Sequence, residues 1–112
     1  MEVSTAVRAL SALAHETRLC VYRVLVKAGP HGVAAGDLAA HLDVPASTLS
    51  FHLQHLVHAG LVQSCREGRS IRYSLVDDVF EGLLDFLRED CCRGLDEPQC
   101  AAPAREQNGS ES

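Results

Sequence analysis

The sequence lacks the features that mark membrane-spanning and secreted proteins. No uninterrupted apolar run approaches the roughly 18 residues that a membrane span needs, and no basic segment followed by an apolar block opens the chain. The five cysteines are an odd number, and their positions form no disulfide framework spread along the 112 residues. We therefore expect reduced thiols in a single-domain, soluble, cytoplasmic protein with no membrane partner.

The local patterns of a thiol enzyme are also missing. The sequence contains no Cys-x-x-Cys turn and no glycine-rich loop of the kind that cradles a phosphate. An activated cysteine nucleophile usually sits in one of these two settings. A small arsenate reductase or other thiol oxidoreductase is therefore the weaker hypothesis, and we predict neither enzymatic activity nor an organic cofactor.

Negative charge is concentrated in the last third of the chain. The net charge is −5, but residues 1–76 hold seven basic and five acidic side chains, whereas residues 77–112 hold three basic and ten acidic ones. The distribution of charge matters more than its sum for a nucleic-acid partner. DNA binding by the first two thirds of the chain is therefore compatible with the composition.

Apolar residues recur at helical spacing in several segments, and two β-leaning runs lie before the last of them. The predicted helices cover about residues 3–14, 16–28, 35–42, 45–59 and 77–91, and the predicted hairpin joins 62–66 to 70–75. This order predicts a mainly α fold with a β-hairpin, the winged helix-turn-helix. We assign 1–92 to a DNA-binding and dimerisation domain, 93–101 to a cysteine-containing inducer-binding segment and 102–112 to a disordered tail.

The fourth predicted helix has an outward face suited to DNA. Hydroxyl, amide and imidazole groups there can bond base edges or phosphates, and Phe51 can lie against a thymine methyl group. Arginines beside the hairpin turn would meet phosphates or the minor groove. A solvated helix face is the simpler interpretation of such residues alone, but the preceding helix and the arginine-tipped hairpin favour DNA. The predicted contacts are Ser47, Thr48, Ser50, Phe51, His52, Gln54, His55, Arg66, Arg69 and Arg72.

Three strings in the sequence resemble the ArsR/SmtB family of metalloregulatory repressors. Residues 13–19 (LAHETRL) are similar to the start of the family's second helix, 50–62 to its recognition helix and 66–69 (REGR) to its wing. The resemblance implies a homodimeric repressor that leaves double-stranded operator DNA when a toxic metal or metalloid binds. One departure concerns Pro45 and Ser47, since the family often has serine and proline there, so the helix start can be shifted by one residue.

Neither helix site at which family members bind metals has its ligands here. Residues 35–42 contain no cysteine for the arsenic site of the third helix, and residues 77–91 contain no histidine for the zinc site of the last helix. Cys91, Cys92 and Cys100 remain, and thiolates select soft ions. Four-coordinate zinc would need a fourth cysteine or histidine nearby, and residues 77–112 offer none. The three thiols suit As(III) or Sb(III), and they resemble the C-terminal arsenite site of some arsenic-responsive members.

The predicted inducer is therefore As(III), with Sb(III) and methylated trivalent arsenicals as alternatives. Oxidation of Cys91 or Cys92 with Cys100 would instead give a redox sensor, and stoichiometric zinc would indicate a zinc-sensing protein of the same fold. Cys20 and Cys65 are expected to be small buried apolar side chains, and the alternative for Cys65 is a remote extra ligand.

Apolar stripes on the first and last helices predict packing across a two-fold axis. Such a dimer would set two recognition helices roughly 34 to 36 Å apart, one turn of duplex. Cys91 lies four residues beyond Leu87 and is expected to continue the stripe of the last helix. Metalloid binding there would reshape the dimer interface.

Overall fold

A computed structural model describes residues 1–95 of the chain; residues 96–112 lie outside the described part, and with them Cys100 and the predicted tail. The described part is mainly helical, with a small sheet. Its elements are α1 (Val3–Leu13), α2 (Glu16–Ala28), β1 (Val33–Ala34), α3 (Ala35–Leu42), α4 (Ala46–His58), β2 (Val62–Glu67), β3 (Ser70–Leu75) and α5 (Asp77–Arg88). None of the helices between residues 1 and 95 has the length and apolar character needed to cross a bilayer.

Leucines of α4 form the centre of the core. Leu49, Leu53 and Leu56 are each at most 1% exposed, and they share a cluster with leucines of α2 and α3. Fully burying one such side chain stabilises the fold by about 1.5 to 3 kcal/mol. This packing fixes which face of α4 points outward, so the core determines the surface offered to a partner.

Alanines, rather than the larger apolar residues, form the inner face of α1. Ala6, Ala9 and Ala12 are buried, whereas Val7 and Leu10 are 54% and 41% exposed. The helix contacts α2, α4 and α5, and small side chains let its backbone approach them closely. The predicted stripe therefore faces the core only in part, because Val7 and Leu10 remain on the surface.

The turn between α3 and α4 has the form of a helix-turn-helix. Asp43 ends α3 in the left-handed conformation with φ of 55°, and its backbone N–H bonds to carbonyl groups of the last turn of the helix. Pro45 is the residue that precedes α4, which begins at Ala46. The helix α4 thus starts one residue later than predicted.

The hairpin belongs to a three-stranded antiparallel sheet in the order β1-β3-β2. The sequence predicted β2 and β3, but it did not predict β1, which pairs Val33 with Tyr73 and Ala34 with Arg72. Gly32 precedes β1 with φ of 71°, and a Cβ atom at this position would collide with the backbone of Tyr73. Only glycine accommodates both the positive φ and this close approach.

The last helix is shorter than predicted. α5 ends at Arg88, and Glu89 is extended, with φ of −55° and ψ of 130°. A turn follows, in which the N–H of Cys91 donates to the carbonyl of Arg88 at 3.1 Å. The prediction that Cys91 continues the helical stripe is therefore wrong, because the helix ends three residues before it.

Candidate DNA interface and thiol pair

The outward face of α4 is polar apart from one aromatic ring. Phe51 is 60% exposed, and its ring meets the edge of the His55 ring with 4.8 Å between centroids. This pair stands at the surface among small polar side chains that can reach base edges. The exposed residues on this face are Ser47, Thr48, Ser50, Phe51, Gln54, His55 and His58.

His52 does not belong to that exposed face. It is only 7% exposed, its ring lies 4.5 Å from the His15 ring, and its Nδ1 lies 3.3 Å from Nη1 of Arg18. Because arginine can only donate, Nδ1 must accept this bond. Burial lowers the pKa of His52, and His15, Arg18 and His55 lower it further. The prediction that His52 contacts DNA is corrected: its ring links α4 to the start of α2.

Arg18 is a residue that the sequence did not single out. Its Nε donates to the carbonyl of Ala12 at 2.6 Å, while Nη1 reaches His52. One guanidinium group of α2 therefore joins α1 and α4. The sequence indication of this role was the position of Arg18 in the LAHETRL string, three residues after His15. Nδ1 of His15 accepts a hydrogen bond from the N–H of Thr17 and so caps α2.

The arginines of the wing differ in what they contact. Arg66 and Arg69 flank the turn at Gly68, are exposed, and form no ion pair within residues 1–95. Arg72 instead donates from Nε to Glu67 at 3.1 Å and from Nη1 to the carbonyls of His31 and Gly32 at 3.3 Å. The first two leave their guanidinium groups exposed to solvent, whereas Arg72 holds the wing against the β1 strand.

Two thiols meet just beyond α5. Cys91 and Cys92 are both exposed, and their Sγ atoms are 3.4 Å apart. Cys92 has a φ of 65°, and Arg93 donates to Asp90 at 3.0 Å beside it. No group of three or more metal-ligating side chains forms within the described residues 1–95, and the third predicted ligand, Cys100, lies outside them.

The remaining two cysteines are not buried. Cys20 and Cys65 are exposed, so the expectation that they fill the core is wrong. Cys20 lies next to Val21 on α2 but faces outward, and β2 turns every side chain after Val62 to solvent. Both thiols therefore provide surface controls for experiments on the pair at 91 and 92.

Large apolar side chains are exposed along α1 and α5, which contact each other. They are Val7, Leu10, Leu84 and Leu87, with exposed fractions from 41% to 57%. We call these four residues the apolar face. It lies on the two helices for which the sequence predicted dimerisation.

Known helix-turn-helix proteins share this architecture. The family model for a helix-turn-helix domain matches residues 13–65. The chain is 42% identical over 77 residues to the HTH-type transcriptional regulator CmtR of Mycobacterium tuberculosis, a match that covers 69% of this chain and 63% of that protein.

Two solved structures have the same fold. HlyU from Vibrio cholerae aligns with a TM-score of 0.64 and 30% identity, over 82% of this chain and 99% of that one. Mb0332 from Mycobacterium bovis is described as a homodimeric winged helix-turn-helix DNA-binding domain and a possible ArsR-family regulator. It aligns with a TM-score of 0.64 and 26% identity, over 79% and 82% of the two chains. These relatives are transcriptional regulators rather than enzymes, and the chain belongs to the ArsR/SmtB family of winged helix-turn-helix transcriptional regulators.

Proposed function

We propose that this chain is a repressor that binds operator DNA as a homodimer and is released when As(III) or Sb(III) binds thiolates at its C-terminal end. The observation that carries the proposal is the meeting of Cys91 and Cys92 at 3.4 Å on an exposed turn directly after α5. This turn adjoins the helix whose Leu84 and Leu87 belong to the apolar face.

DNA binding follows from the outward side of α4 and from the wing. α4 would enter the major groove, with Phe51 against a thymine methyl group and Gln54 on a base edge. Arg66 and Arg69 would neutralise phosphates beside it. A homodimer through the apolar face would present two such surfaces to the two halves of an operator.

The thiol pair fits a soft ion. Bonds from zinc to thiolate sulfur are about 2.3 Å long, so two sulfurs separated by no more than about twice that length can share an ion. The separation of 3.4 Å between Cys91 and Cys92 meets this condition. Cys100 would supply the third thiolate, which suits a trivalent metalloid better than tetrahedral zinc.

The coupling to DNA would pass through α5. Bringing Cys100 against the pair would move the turn at 89–92, and this turn continues directly from α5 and its apolar face. A typical coupling free energy of about 1 to 3 kcal/mol would weaken operator binding some 5- to 150-fold. The two recognition helices would then no longer match the spacing of their half-sites.

The test measures DNA release by fluorescence anisotropy. An operator duplex is first selected from a random-sequence pool by wild-type protein, and As(III), Sb(III), Zn(II) and hydrogen peroxide are then titrated separately. The Cys91→Ser, Cys92→Ser, Cys100→Ser triple variant is compared with a Cys20→Ser, Cys65→Ser control. Release of the wild type and the control by As(III), but not of the triple variant, is expected. If arsenite leaves all three complexes intact, the assignment of As(III) as the inducer is wrong, although the conclusion that the chain is a DNA-binding regulator is retained.

The short sulfur separation also favours a second candidate, a thiol-based redox switch. One hydrogen peroxide molecule would oxidise two thiols to a disulfide and leave two water molecules. Release by peroxide without metalloid, reversed by a dithiol reductant and absent in the triple variant, would select this candidate. Release by zinc alone would select a zinc-sensing repressor instead.

A further inference from the structure

A groove separates α1 from the flank of α4 and is rich in basic side chains. It has a volume of about 360 Å³. Its lining residues are Arg8, Ser11, Ala12, Arg18, His55, His58 and Ala59. Within residues 1–95 no carboxylate lines it, although the chain as a whole is acidic, with a net charge of −5. The groove is therefore a local exception to the charge of the molecule.

Arg18 is fixed in orientation at this groove. Its Nε is held by the carbonyl of Ala12 and its Nη1 by the buried ring of His52. Nη2 makes no hydrogen bond within residues 1–95, so one donor edge of a rigidly held guanidinium remains free. A preorganised guanidinium loses little side-chain freedom when it binds an oxyanion, and its planar fork matches phosphate geometry.

Arg8, on α1, supplies a second cation to the groove. It is exposed on α1 and forms no ion pair among residues 1–95. Ser11, one turn further along the same helix, adds a hydroxyl donor, and His55 and His58 add ring N–H groups from α4. These groups are donors suited to oxyanions, and the phosphate oxygens of DNA belong to that class.

The position of the groove relates it to DNA. The other flank of α4 faces the sheet, where Ser50 lines a separate groove with Ile71 of β3. A helix inserted into the major groove has a sugar-phosphate backbone on each side. The wing would contact the DNA backbone on the Ser50 side of α4. The groove at Arg8 and Arg18 would therefore face the DNA backbone on the other side of the helix.

We propose that this groove binds a backbone phosphate of the DNA, with Arg8 and Arg18 as its cationic contacts and Ser11 as an added donor. The proposal rests on the DNA binding argued above and extends the interface onto α1, away from the wing. It also gives Arg18 two roles, because the same guanidinium that anchors His52 would contact the nucleic acid.

The test is the salt dependence of binding to the selected operator and to a mixed-sequence duplex. Log K, where K is the association constant, falls as log salt concentration rises, and each phosphate contact contributes about 0.9 to the magnitude of this slope. Arg8→Ala removes one contact per subunit, so the magnitude of the slope is expected to fall by about 2 in the dimer. Binding to both duplexes is expected to weaken alike. Arg8→Lys keeps the charge and is expected to retain most of the slope. Arg23→Ala, which removes an exposed arginine of α2 outside the groove, is expected to match the wild type.

An unchanged slope for Arg8→Ala, with unchanged thermal stability, would overturn the proposal. Free phosphate is the other ligand with this chemistry, and a titration of inorganic phosphate at matched ionic strength tests whether the groove binds it. Phosphate binding that depends on Arg8, together with an unchanged DNA slope, would make the groove a free-anion site and would also overturn it. If the wild type binds neither duplex, the proposed function fails instead.

Discussion

Replacing His52 by alanine tests whether the buried imidazole holds the recognition helix in place. The change removes the acceptor of a charged donor, Nη1 of Arg18, 3.3 Å away. It also empties a site that is only 7% exposed. A hydrogen bond to a charged group contributes about 1.5 to 3 kcal/mol, and loss of ring packing adds to it. We expect the free energy of unfolding to fall by about 3 kcal/mol at pH 8.

The same variant has a defined pH signature. Burial, followed by His15, Arg18 and His55, lowers the pKa of His52 in the folded protein, while the unfolded chain keeps a pKa of about 6.5. Between the two pKa values the unfolded state therefore binds more protons than the folded state. The contribution of His52 to stability is fully present above it and is lost as the pH falls through the folded pKa. One proton changes stability by up to about 1.4 kcal/mol per pH unit.

Urea unfolding followed by circular dichroism from pH 8 to pH 5, at one protein concentration, measures both effects. The gap between wild type and His52→Ala is expected to be widest at pH 8 and to narrow in acid. His41→Gln, which removes an exposed histidine of α3, is expected to follow the wild type. A gap that stays constant across this range, or a loss below about 0.5 kcal/mol at pH 8, would refute the anchoring role.

Three further predictions concern the apolar face, the recognition helix and the sheet. Leu87→Glu places a charge on a side chain that is 57% exposed, and sedimentation velocity is expected to show a folded monomer at concentrations where wild type is dimeric. Phe51→Ala is expected to weaken operator binding about tenfold by anisotropy while changing unfolding free energy by less than about 0.5 kcal/mol. Gly32→Ala forces a Cβ atom against Tyr73 at φ of 71°, and a loss of about 3 kcal/mol is expected in urea unfolding. A dimeric Leu87→Glu, full operator affinity in Phe51→Ala or wild-type stability in Gly32→Ala would contradict the respective explanation.

Elements that carry their own boundary signals were predictable from the sequence. The predicted second and third helices match α2 (Glu16–Ala28) and α3 (Ala35–Leu42), because the apolar period and the adjoining glycines, prolines or aspartates are local properties. The hairpin was predicted for the same reason, since Gly68 at φ of 62° allows its turn. Local chemistry therefore accounts for most of the fold.

Features that depend on a distant neighbour were not predictable. β1 is two residues long and exists because β3 offers an edge to Val33 and Ala34. The inner face of α1 follows the alanines, since helix packing rather than hydrophobicity alone selects small residues there. His52 is buried because Arg18, 34 positions earlier, supplies its partner. The sequence immediately around these residues does not indicate any of these contacts.

Part of the candidate DNA surface has the exposure that the sequence predicted. The exposed hydroxyl and amide side chains of α4 and the free wing arginines Arg66 and Arg69 lie where the sequence placed them. The groove at Arg8 and Arg18 was missed because its walls come from helices that are far apart in sequence. The proximity of Cys91 and Cys92 follows from their adjacency, whereas the third ligand, Cys100, stays a prediction.

The three buried alanines of α1 constrain how this chain can diverge. Ala6, Ala9 and Ala12 seat the helix on the domain, while Val7 and Leu10 point away on one side and Arg8 borders the groove on another. Substitutions at the outward apolar positions would change the surface of the proposed dimer without shifting Arg8. A larger side chain at one of the alanines would displace both surfaces together. The exposed positions of α1 can therefore accept new side chains without moving the helix, whereas its three buried alanines cannot.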